Sequence, residues 1–361
     1  MMRALPFVSF IVLTKNSGNM VSDCLKSIKG IDYPIEKFEI IVVDAKSTDE
    51  TIEIAERYGS KVVLYEVQGS KCLGITQGAF AKSRNVGLQT AQGEFAAFVD
   101  DDAVLSRDWL KQLILKGFRD ETVAGATGLN FAPDARSKTG RYIGVLPLSM
   151  PAIDELDPFP FKDADFSAVK ISKGLDIRFV CGDYMVGAKH CVYRTSMIRE
   201  IGGFDENTFA DDDTDVNARL LKKGFKLAFV PDAASWHRPR QDLRSFFIQQ
   251  VRYGLGTAHS LEKHPEFSRV SWYLPPIGLL LTIALAALSL VSGTAVLLLA
   301  GMLLVYLLLL ISYGIRSVKK CGNIDLVIGV PMVCFVWQVA WCLGFLYGLL
   351  IKREMHTKDH G

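Results

Sequence analysis

The chain has 361 residues, which is long enough for about two domains. Its 41 Lys and Arg residues nearly balance its 39 Asp and Glu residues, which argues against a nucleic-acid-binding protein, since such proteins usually carry a strong basic excess. Charged residues make up 22% of the chain, so extensive disorder is not expected. The seven cysteines contain no Cys-x-x-Cys pair, which argues against a disulfide framework or zinc module and indicates a reduced, cytosol-facing chain.

Residues 1–265 alternate short apolar runs with helix-like segments. This alternation predicts an α/β domain with a mostly parallel, doubly wound, Rossmann-like sheet. The predicted strands are Phe7–Leu13, Glu39–Val43, Lys61–Val67, Phe95–Val99 and Val123–Thr127. The predicted helices are Asn19–Ile28, Asp49–Tyr58, Ala79–Thr90 and Asp108–Phe118. Ser47 and Glu50 are spaced as a capping box for the second helix. The segment Ala132–Ser172 lacks any clear period and predicts a long loop near the site, or a lid.

Residues 266–361 are predicted to form a helical membrane domain. No charged residue occurs between Arg269 and Arg316, and at about 1.5 Å per helical residue this run spans roughly 70 Å, enough for two bilayer crossings. A third uncharged stretch extends from Leu326 to Ile351. We therefore predict transmembrane helices at 272–291, 294–313 and 326–351, with a buried core hairpin as the alternative. The absence of charge within these spans argues against a transporter, which would need an intramembrane ion pathway.

The side of the membrane follows from the basic residues of the loops. Arg316, Lys319 and Lys320 lie between the second and third spans, and the positive-inside rule places this loop in the cytoplasm. The N-terminal domain then also faces the cytoplasm. Lys352 and Arg353 lie beyond the third span and oppose this orientation.

Acidic residues follow the ends of two predicted strands. Asp100 and Asp102 come directly after an apolar strand, and alternate residues of an extended segment project to the same side. Such a pair can hold a hard divalent cation beside phosphate oxygens, although a solvated acidic turn has the same pattern. Asp44 ends the second predicted strand, where an ordinary turn or cap residue is the alternative.

A second acidic cluster precedes the predicted helix Val216–Lys223. Asp212, Asp213 and Asp215 can cap a helix and favour its dipole, which accounts for one or two of them. These carboxylates repel one another, so capping does not explain why so many acidic residues occur together. A bound cation or a catalytic role would explain the additional ones. His237 is either a metal ligand or a surface histidine.

Five segments, taken in chain order, resemble the family 2 glycosyltransferases with the GT-A fold. They are VSFIVLTKN, EIIVVDAKSTDET, SRNVGLQTAQGEFAAFVDDD, GGFDENTFADDDTDVNARLLKKGFKLAFVP and QQVRYG. The resemblance covers Leu5 to Gly254. It implies a nucleotide-sugar donor, with UDP favoured over GDP as the nucleotide, and a divalent cation, Mg²⁺ or Mn²⁺.

The resemblance also implies roles for individual residues. The residues matching donor and nucleotide contacts are Thr14, Asn16, Asp44, Arg84, Asn85, Asp100 and Asp101. Asp102 and Asp100 match the metal-binding motif, and His237 is a further candidate ligand. Asp213 matches the catalytic base.

Four further residues match acceptor or diphosphate contacts, and two of them depart from the family pattern. They are Asp212, Gln249, Arg252 and Tyr253. Asp212 stands where the family has Glu, and Tyr253 stands where it has Trp, which puts processivity in question. Lys46 stands where Gly or Asn is common, so the base contact is less defined.

These observations imply an inverting hexosyltransferase that extends a lipid-linked glycan. A hydroxyl acceptor needs a base such as Asp213, whereas a polyprenyl (dolichyl) phosphate is already ionised and needs none. A polyprenyl-phosphate sugar synthase is therefore the alternative. A processive polysaccharide synthase is disfavoured because a secretion channel would need more than three transmembrane helices or a partner. An inactive module that only binds nucleotide sugars is disfavoured because it would not need the complete set of acidic residues.

Overall fold

The computed structural model describes residues 5–66, 71–72, 75–76, 78–132, 136–146, 178–180, 190–208, 210–268 and 270–358. The chain divides into two compact units. The first unit takes the described residues of Met1–Phe131 and Phe161–Arg238, and the second takes those of Ala132–Pro160 and Pro239–Gly361.

The first unit is built on a mixed β-sheet. In chain order the described strands are β1 (Val8–Thr14), β2 (Phe38–Asp44), β3 (Lys61–Leu64), β4 (Lys71–Cys72), β5 (Ile75–Thr76), β6 (Phe95–Asp100), β7 (Ala103–Leu105), β8 (Val123–Phe131), β9 (Arg178–Val180), β10 (Cys191–Arg194) and β11 (Lys226–His237). The sheet order is β3-β2-β1-β6-β10-β8-β11-β7, with β9 also on β11, while β4 and β5 form a separate hairpin. Strands β3, β2, β1 and β6 are parallel, as are β8 and β11, whereas β10, β7 and β9 are antiparallel to their neighbours.

Helices cover both faces of this sheet. Those of the first unit are α1 (Gly18–Lys29), α2 (Thr51–Arg57), α3 (Ala79–Thr90), α4 (Trp109–Gln112), α6 (Thr195–Glu200) and α7 (Asp212–Lys222). Alternate residues of β1 point to opposite faces, so Phe10 and Val12 pack with Leu25 of α1, while Ile11 packs with Leu88 of α3. Each of these buried side chains contributes about 1.5–3 kcal/mol. The predicted α/β class is confirmed, with β3, β2, β1 and β6 as the parallel part of the sheet, whereas the antiparallel strands β7, β9 and β10 were not predicted.

Two local predictions are wrong, and a third is wrong over one short segment. The capping box fails because α2 begins at Thr51 and the Ser47 side chain bonds to Asp44 instead of capping the helix. The helix predicted at Val216 begins earlier, so Asp212, Asp213 and Asp215 form its first turn. The predicted loop Ala132–Ser172 lies largely outside the described residues, but Lys138–Gly144 within it forms helix α5, which is capped by the Ser137 hydroxyl.

The second unit is helical. Besides α5, its described helices are α8 (Leu243–Lys263), α9 (Val270–Leu288), α10 (Gly293–Cys321) and α11 (Leu326–Lys358). Glycines let α8 and α11 pack backbone to backbone. A Cβ atom at Gly254 would lie 2.0 Å from the Trp341 carbonyl oxygen, and one at Gly344 would lie 2.0 Å from that of Val251.

Two helices of the described chain are long and apolar enough to cross a membrane, at Gly293–Cys321 and Leu326–Leu350. The segment predicted as the first span is a shorter apolar stretch, Trp272–Leu288, within α9. It contains Pro275 and Pro276. Most large apolar side chains of α10 are exposed.

Candidate active site

The carboxyl ends of three parallel strands bring Thr14, Asp44 and Asp100 to one edge of the sheet. Thr14 pairs in register with Asp44, and the preceding residue, Leu13, pairs with Asp100. Ligands of open, doubly wound sheets bind outside this edge. Three of the seven residues that the resemblance implies as donor contacts therefore share one location.

Asp44 braces the loop that follows β2. The residue is 0% exposed, and its Oδ1 and Oδ2 accept hydrogen bonds from the Ser47 N–H at 2.7 Å and the Ser47 hydroxyl at 2.6 Å. The Ser47 hydroxyl in turn accepts from the Asn16 N–H at 2.7 Å, and the Asn16 Oδ1 accepts from the Thr48 N–H at 2.8 Å. Hydrogen bonds thus join the loops after β1 and β2 into one surface. Asn16 is exposed on this surface, whereas Asp44 is buried beneath it.

The turn between β6 and β7 carries three consecutive carboxylates. Asp100 ends β6, while Asp101 and Asp102 form the turn, and all three are partly buried. Burial raises the pKa of Asp101 to about 6. The negative charge of Asp102 also raises this pKa, whereas the hydrogen bond from Ser17 lowers it. The turn therefore concentrates negative charge at the edge of the sheet.

Antiparallel pairing of β7 with β11 brings His237 to this turn. His237 pairs in register with Ala103, the residue after Asp102. Its Nε2 lies 3.3 Å from the Asp102 Oδ2, and one ligand atom from each of Asp100, Asp102 and His237 lie within 4.8 Å of one another. Two carboxylates and an imidazole at this spacing form a donor set that fits one divalent cation.

A buried ion pair joins α3 to the first turn of α7. The Arg84 Nη1 donates to the Asp212 Oδ2, and the two residues are 9% and 6% exposed. The Arg84 guanidinium also lies 5.4 Å from the centre of the Phe204 ring. Burial lowers the pKa of Arg84, but the carboxylates of Asp212, Asp100 and Asp213 outweigh this and raise it above its ordinary value. Burial raises the pKa of Asp212, and Arg84 opposes that shift.

Asn85, the neighbour of Arg84, orders the loop before α7. Its side-chain amide donates to the Phe204 carbonyl and to the Glu206 carboxylate, both at 2.9 Å. Its Oδ1 accepts from the Phe204 N–H at 2.9 Å. Asn85 therefore holds the polypeptide that leads into the acidic turn.

The three acidic residues of the first turn of α7 have different surroundings. Asp212 pairs with Arg84, and the buried Asp215 pairs with Arg219 at 2.7 Å. Asp213 is partly exposed, and its Oδ1 accepts from the Thr214 N–H at 2.8 Å and lies 3.4 Å from the Thr214 hydroxyl. Among these three residues, Asp213 is the one that reaches solvent. It forms no ion pair with an arginine among the described contacts.

Gln249, Arg252 and Tyr253 belong to the second unit, on α8. Half-burial lowers the pKa of Arg252, and the positive charge of Arg240 lowers it further. Tyr253 packs against the cluster that contains Trp341 and Phe345 of α11.

Sequence reasoning missed His190, which precedes the short strand β10. Its Nε2 lies 3.8 Å from the Asp100 Oδ2, and its side chain is fully buried. Nothing in the sequence around it signals this position, because it depends on the antiparallel insertion of β10 beside β6.

Comparison with known families agrees with this architecture. Residues 9–166 match the model described as glycosyl transferase family 2, and residues 163–351 match that described as glycosyl transferase family group 2. The chain belongs to the family 2 glycosyltransferases.

Two relatives and one solved structure are similar over most of the chain. A dolichyl N-acetyl-alpha-D-glucosaminyl phosphate 3-beta-D-2,3-diacetamido-2,3-dideoxy-beta-D-glucuronosyltransferase of Methanococcus voltae is 24% identical, covering 95% of this chain and 97% of that one. The glycosyltransferase AglE of Haloferax volcanii is 24% identical over 71% of this chain and 74% of its own length. The mannosyltransferase PcManGT of Pyrobaculum calidifontis, solved with GDP-Man and Mn²⁺, has a TM-score of 0.61 at 18% identity, with coverage of 96% and 88%. This last likeness shows the shared fold.

Proposed function

We propose that the chain is a membrane-bound, cation-dependent, inverting hexosyltransferase that transfers a sugar from a nucleotide-sugar donor to a hydroxyl of a lipid-linked glycan. The observation that carries the proposal is the convergence of the acidic turn, His237 and the first turn of α7. The buried guanidinium of Arg84 pairs with Asp212 and also interacts electrostatically with Asp100 and Asp213, which supports a common site for the acidic turn and the first turn of α7.

Asp100, Asp102 and His237 are the residues that would hold a divalent cation. Their ligand atoms lie within 4.8 Å of one another, and this donor set fits Mg²⁺ or Mn²⁺. When bound, such a cation neutralises the charge that develops on a departing nucleoside diphosphate. The adjoining surface formed by Thr14, Asn16 and the loop braced by Asp44 is the proposed nucleotide site, with a UDP-linked donor favoured over a GDP-linked one.

Asp213 is the proposed base. It would accept the proton of the acceptor hydroxyl, and positioned general bases typically contribute about 10²–10⁴-fold to the rate. The neighbouring Arg84–Asp212 pair fixes the helix turn that presents Asp213, because it ties α7 to α3 through buried groups. A phosphate acceptor would not need this base.

The lipid acceptor is supported by the apolar helices α10 and α11 and by the printed name of the M. voltae relative, which acts on a dolichyl-linked substrate. Arg252 and Arg240 carry neighbouring positive charges that an anion would stabilise, which suits a phosphate or diphosphate of the lipid carrier. We propose that the first unit faces the cytoplasm, where Arg316, Lys319 and Lys320 would also lie.

The test is transfer of label into lipid. Membranes containing the chain are incubated with Mn²⁺ and a panel of radiolabelled UDP- and GDP-sugars, with and without added lipid-linked saccharide, and the organic phase is analysed. The proposal predicts label that requires a pre-extended lipid-linked glycan. Label found as a mild-acid-labile monosaccharide phospholipid would show the polyprenyl-phosphate synthase instead, and label in a long polymer would show a processive synthase.

A further inference from the structure

We propose that a group of exposed basic side chains in the second unit, which we call the basic rim, binds the anionic phosphate headgroups of membrane lipids. The rim consists of Lys138 and Arg141 of α5 together with Arg316, Lys319 and Lys320 of α10. All five residues are exposed. The inference rests on the proposed membrane location of α10 and α11 and does not depend on the sugar-transfer reaction.

Positive charge is concentrated in the two segments that carry the rim. Residues 136–146 and 316–326 together contain six basic residues and one acidic residue, Asp325. Over the whole chain, Lys and Arg exceed Asp and Glu by only two. These two short segments therefore hold a larger positive excess than the entire chain, and the remainder of the chain has a net negative charge. Such segregation of charge favours an anionic binding partner for this part of the molecule.

The two parts of the rim border the same apolar cluster. The buried members of this cluster come from α10 and α11 and are Leu310, Leu326, Val330 and Cys334. Tyr142 of α5 and Val318 of α10 both pack against it. Arg141 is the chain neighbour of Tyr142, and Lys319 is the chain neighbour of Val318. Basic side chains from two separate helices thus flank one apolar surface.

Helix α5 is held firmly against the beginning of α11. A Cβ atom at Gly329, the fourth residue of α11, would lie 2.4 Å from the Tyr142 ring, so the ring lies directly against the glycine backbone. The other end of α5 is tied to the start of α8. There the Ser137 N–H donates to the Gln241 Oε1 at 3.0 Å, and the Ser137 hydroxyl donates to the Gln241 carbonyl oxygen at 2.5 Å. The basic residues of α5 are therefore carried on a packed helix.

Basic side chains at the ends of long apolar helices match the surface of a bilayer. The rim residues of α10 lie in the last turns of a helix long and apolar enough to cross a membrane, and α5 packs at the beginning of the other such helix. Each Lys or Arg near an anionic membrane surface strengthens binding roughly fivefold. Five charges on two helices suit a layer of headgroups better than a single phosphate group.

The experiment reconstitutes the purified full-length chain into phosphatidylcholine vesicles that contain a trace of spin-labelled lipid. Electron paramagnetic resonance then measures the fraction of that lipid immobilised by the protein, for phosphatidylglycerol and for phosphatidylcholine. We expect phosphatidylglycerol to be preferred roughly fivefold at low salt. The preference should largely disappear in about 1 M salt, where the Debye length is about 3 Å.

The decisive variant is Lys138→Gln with Arg141→Gln, which should lower the preference at least about twofold. Lys26→Gln with Lys29→Gln is the matched control, because it removes two exposed basic residues from α1 of the first unit, and it should retain the full preference. Equal immobilisation of the two lipids by the unmodified chain would overturn the proposal even if the α5 variant does not fold. An α5 variant that folds and keeps the full preference would overturn it as well.

One equivalent of polyprenyl phosphate tests the other source of the same chemistry. If it abolished the preference of the unmodified chain for phosphatidylglycerol, the rim would be the phosphate site of the lipid carrier, and the assignment to membrane headgroups would be overturned. An unmodified chain that immobilises neither lipid would overturn the proposed membrane location itself. Because the measurement needs no turnover, a failure of the proposed reaction would not alter its result.

Discussion

Replacing Arg84 with Met leaves the Asp212 carboxylate buried without its counter-charge. Arg84 and Asp212 are 9% and 6% exposed, so little water can replace the lost ion pair. Removing one partner of a buried pair typically costs about 3–5 kcal/mol. At roughly 2–4 °C per kcal/mol for a unit of this size, the melting temperature should fall by roughly 6–20 °C.

The same variant should show a characteristic pH dependence. Burial raises the pKa of Asp212, and loss of Arg84 removes the group that opposes this shift. A carboxyl whose pKa is higher in the folded than in the unfolded state stabilises the fold as it takes up a proton. The destabilisation should therefore be largest near pH 8 and shrink as the pH is lowered towards about 5.

The assay is thermal unfolding of the full-length chain in detergent, followed by circular dichroism at several pH values. Lys111→Met is the matched control, because Lys111 pairs with Asp32 at 2.8 Å on the exposed surface. The double variant Arg84→Met with Asp212→Asn should recover part of the loss. If Arg84→Met were no more destabilising than Lys111→Met, or if the double variant were worse than the single one, the reasoning about burial would be wrong.

Two further predictions concern packing and the loop after β2. Gly344→Ala should destabilise the second unit by about 1–3 kcal/mol, because its Cβ would lie 2.0 Å from a carbonyl oxygen of α8. Gly301→Ala, whose Cβ would meet no atom within 4 Å beyond its chain neighbours and its own helix backbone, should be neutral or slightly stabilising. Thermal unfolding compares the two variants, and equal effects would refute the packing argument. Ser47→Ala should lower the free energy of unfolding by about 1.5–3 kcal/mol and weaken nucleotide binding measured by calorimetry, because the buried Asp44 loses the hydroxyl at 2.6 Å. Thr48→Ala should change both quantities much less. An unaltered nucleotide affinity in Ser47→Ala would contradict the role of Asp44 in holding this loop.

The location of the site could be predicted because it depends on local patterns. Apolar strands such as Phe95–Val99 end at acidic residues, and parallel strands place their carboxyl ends together, which is why Asp44 and Asp100 lie at one edge. The helix start at Asp212 was missed by four residues, because its first turn is stabilised by a distant arginine, not by the apolar periodicity that identifies helices.

The remaining contacts depend on long-range pairing that a single sequence does not encode visibly. His237 reaches Asp102 only because β11 runs antiparallel to β7. Arg84 meets Asp212 across 128 residues of chain. His190 reaches the site through β10, which is too short to be recognised from hydrophobic pattern alone.

The measurement that tests the central claim most directly is the rate of sugar transfer by Asp213→Asn. The comparison uses Asp32→Asn, an exposed aspartate of the same unit, under saturating donor and lipid-linked glycan, with nucleotide binding measured in parallel. A base at Asp213 predicts a loss of about 10²–10⁴-fold in kcat, unchanged nucleotide affinity, and normal turnover in Asp32→Asn. Transfer by Asp213→Asn at close to the unmodified rate would contradict a hydroxyl acceptor activated by this residue.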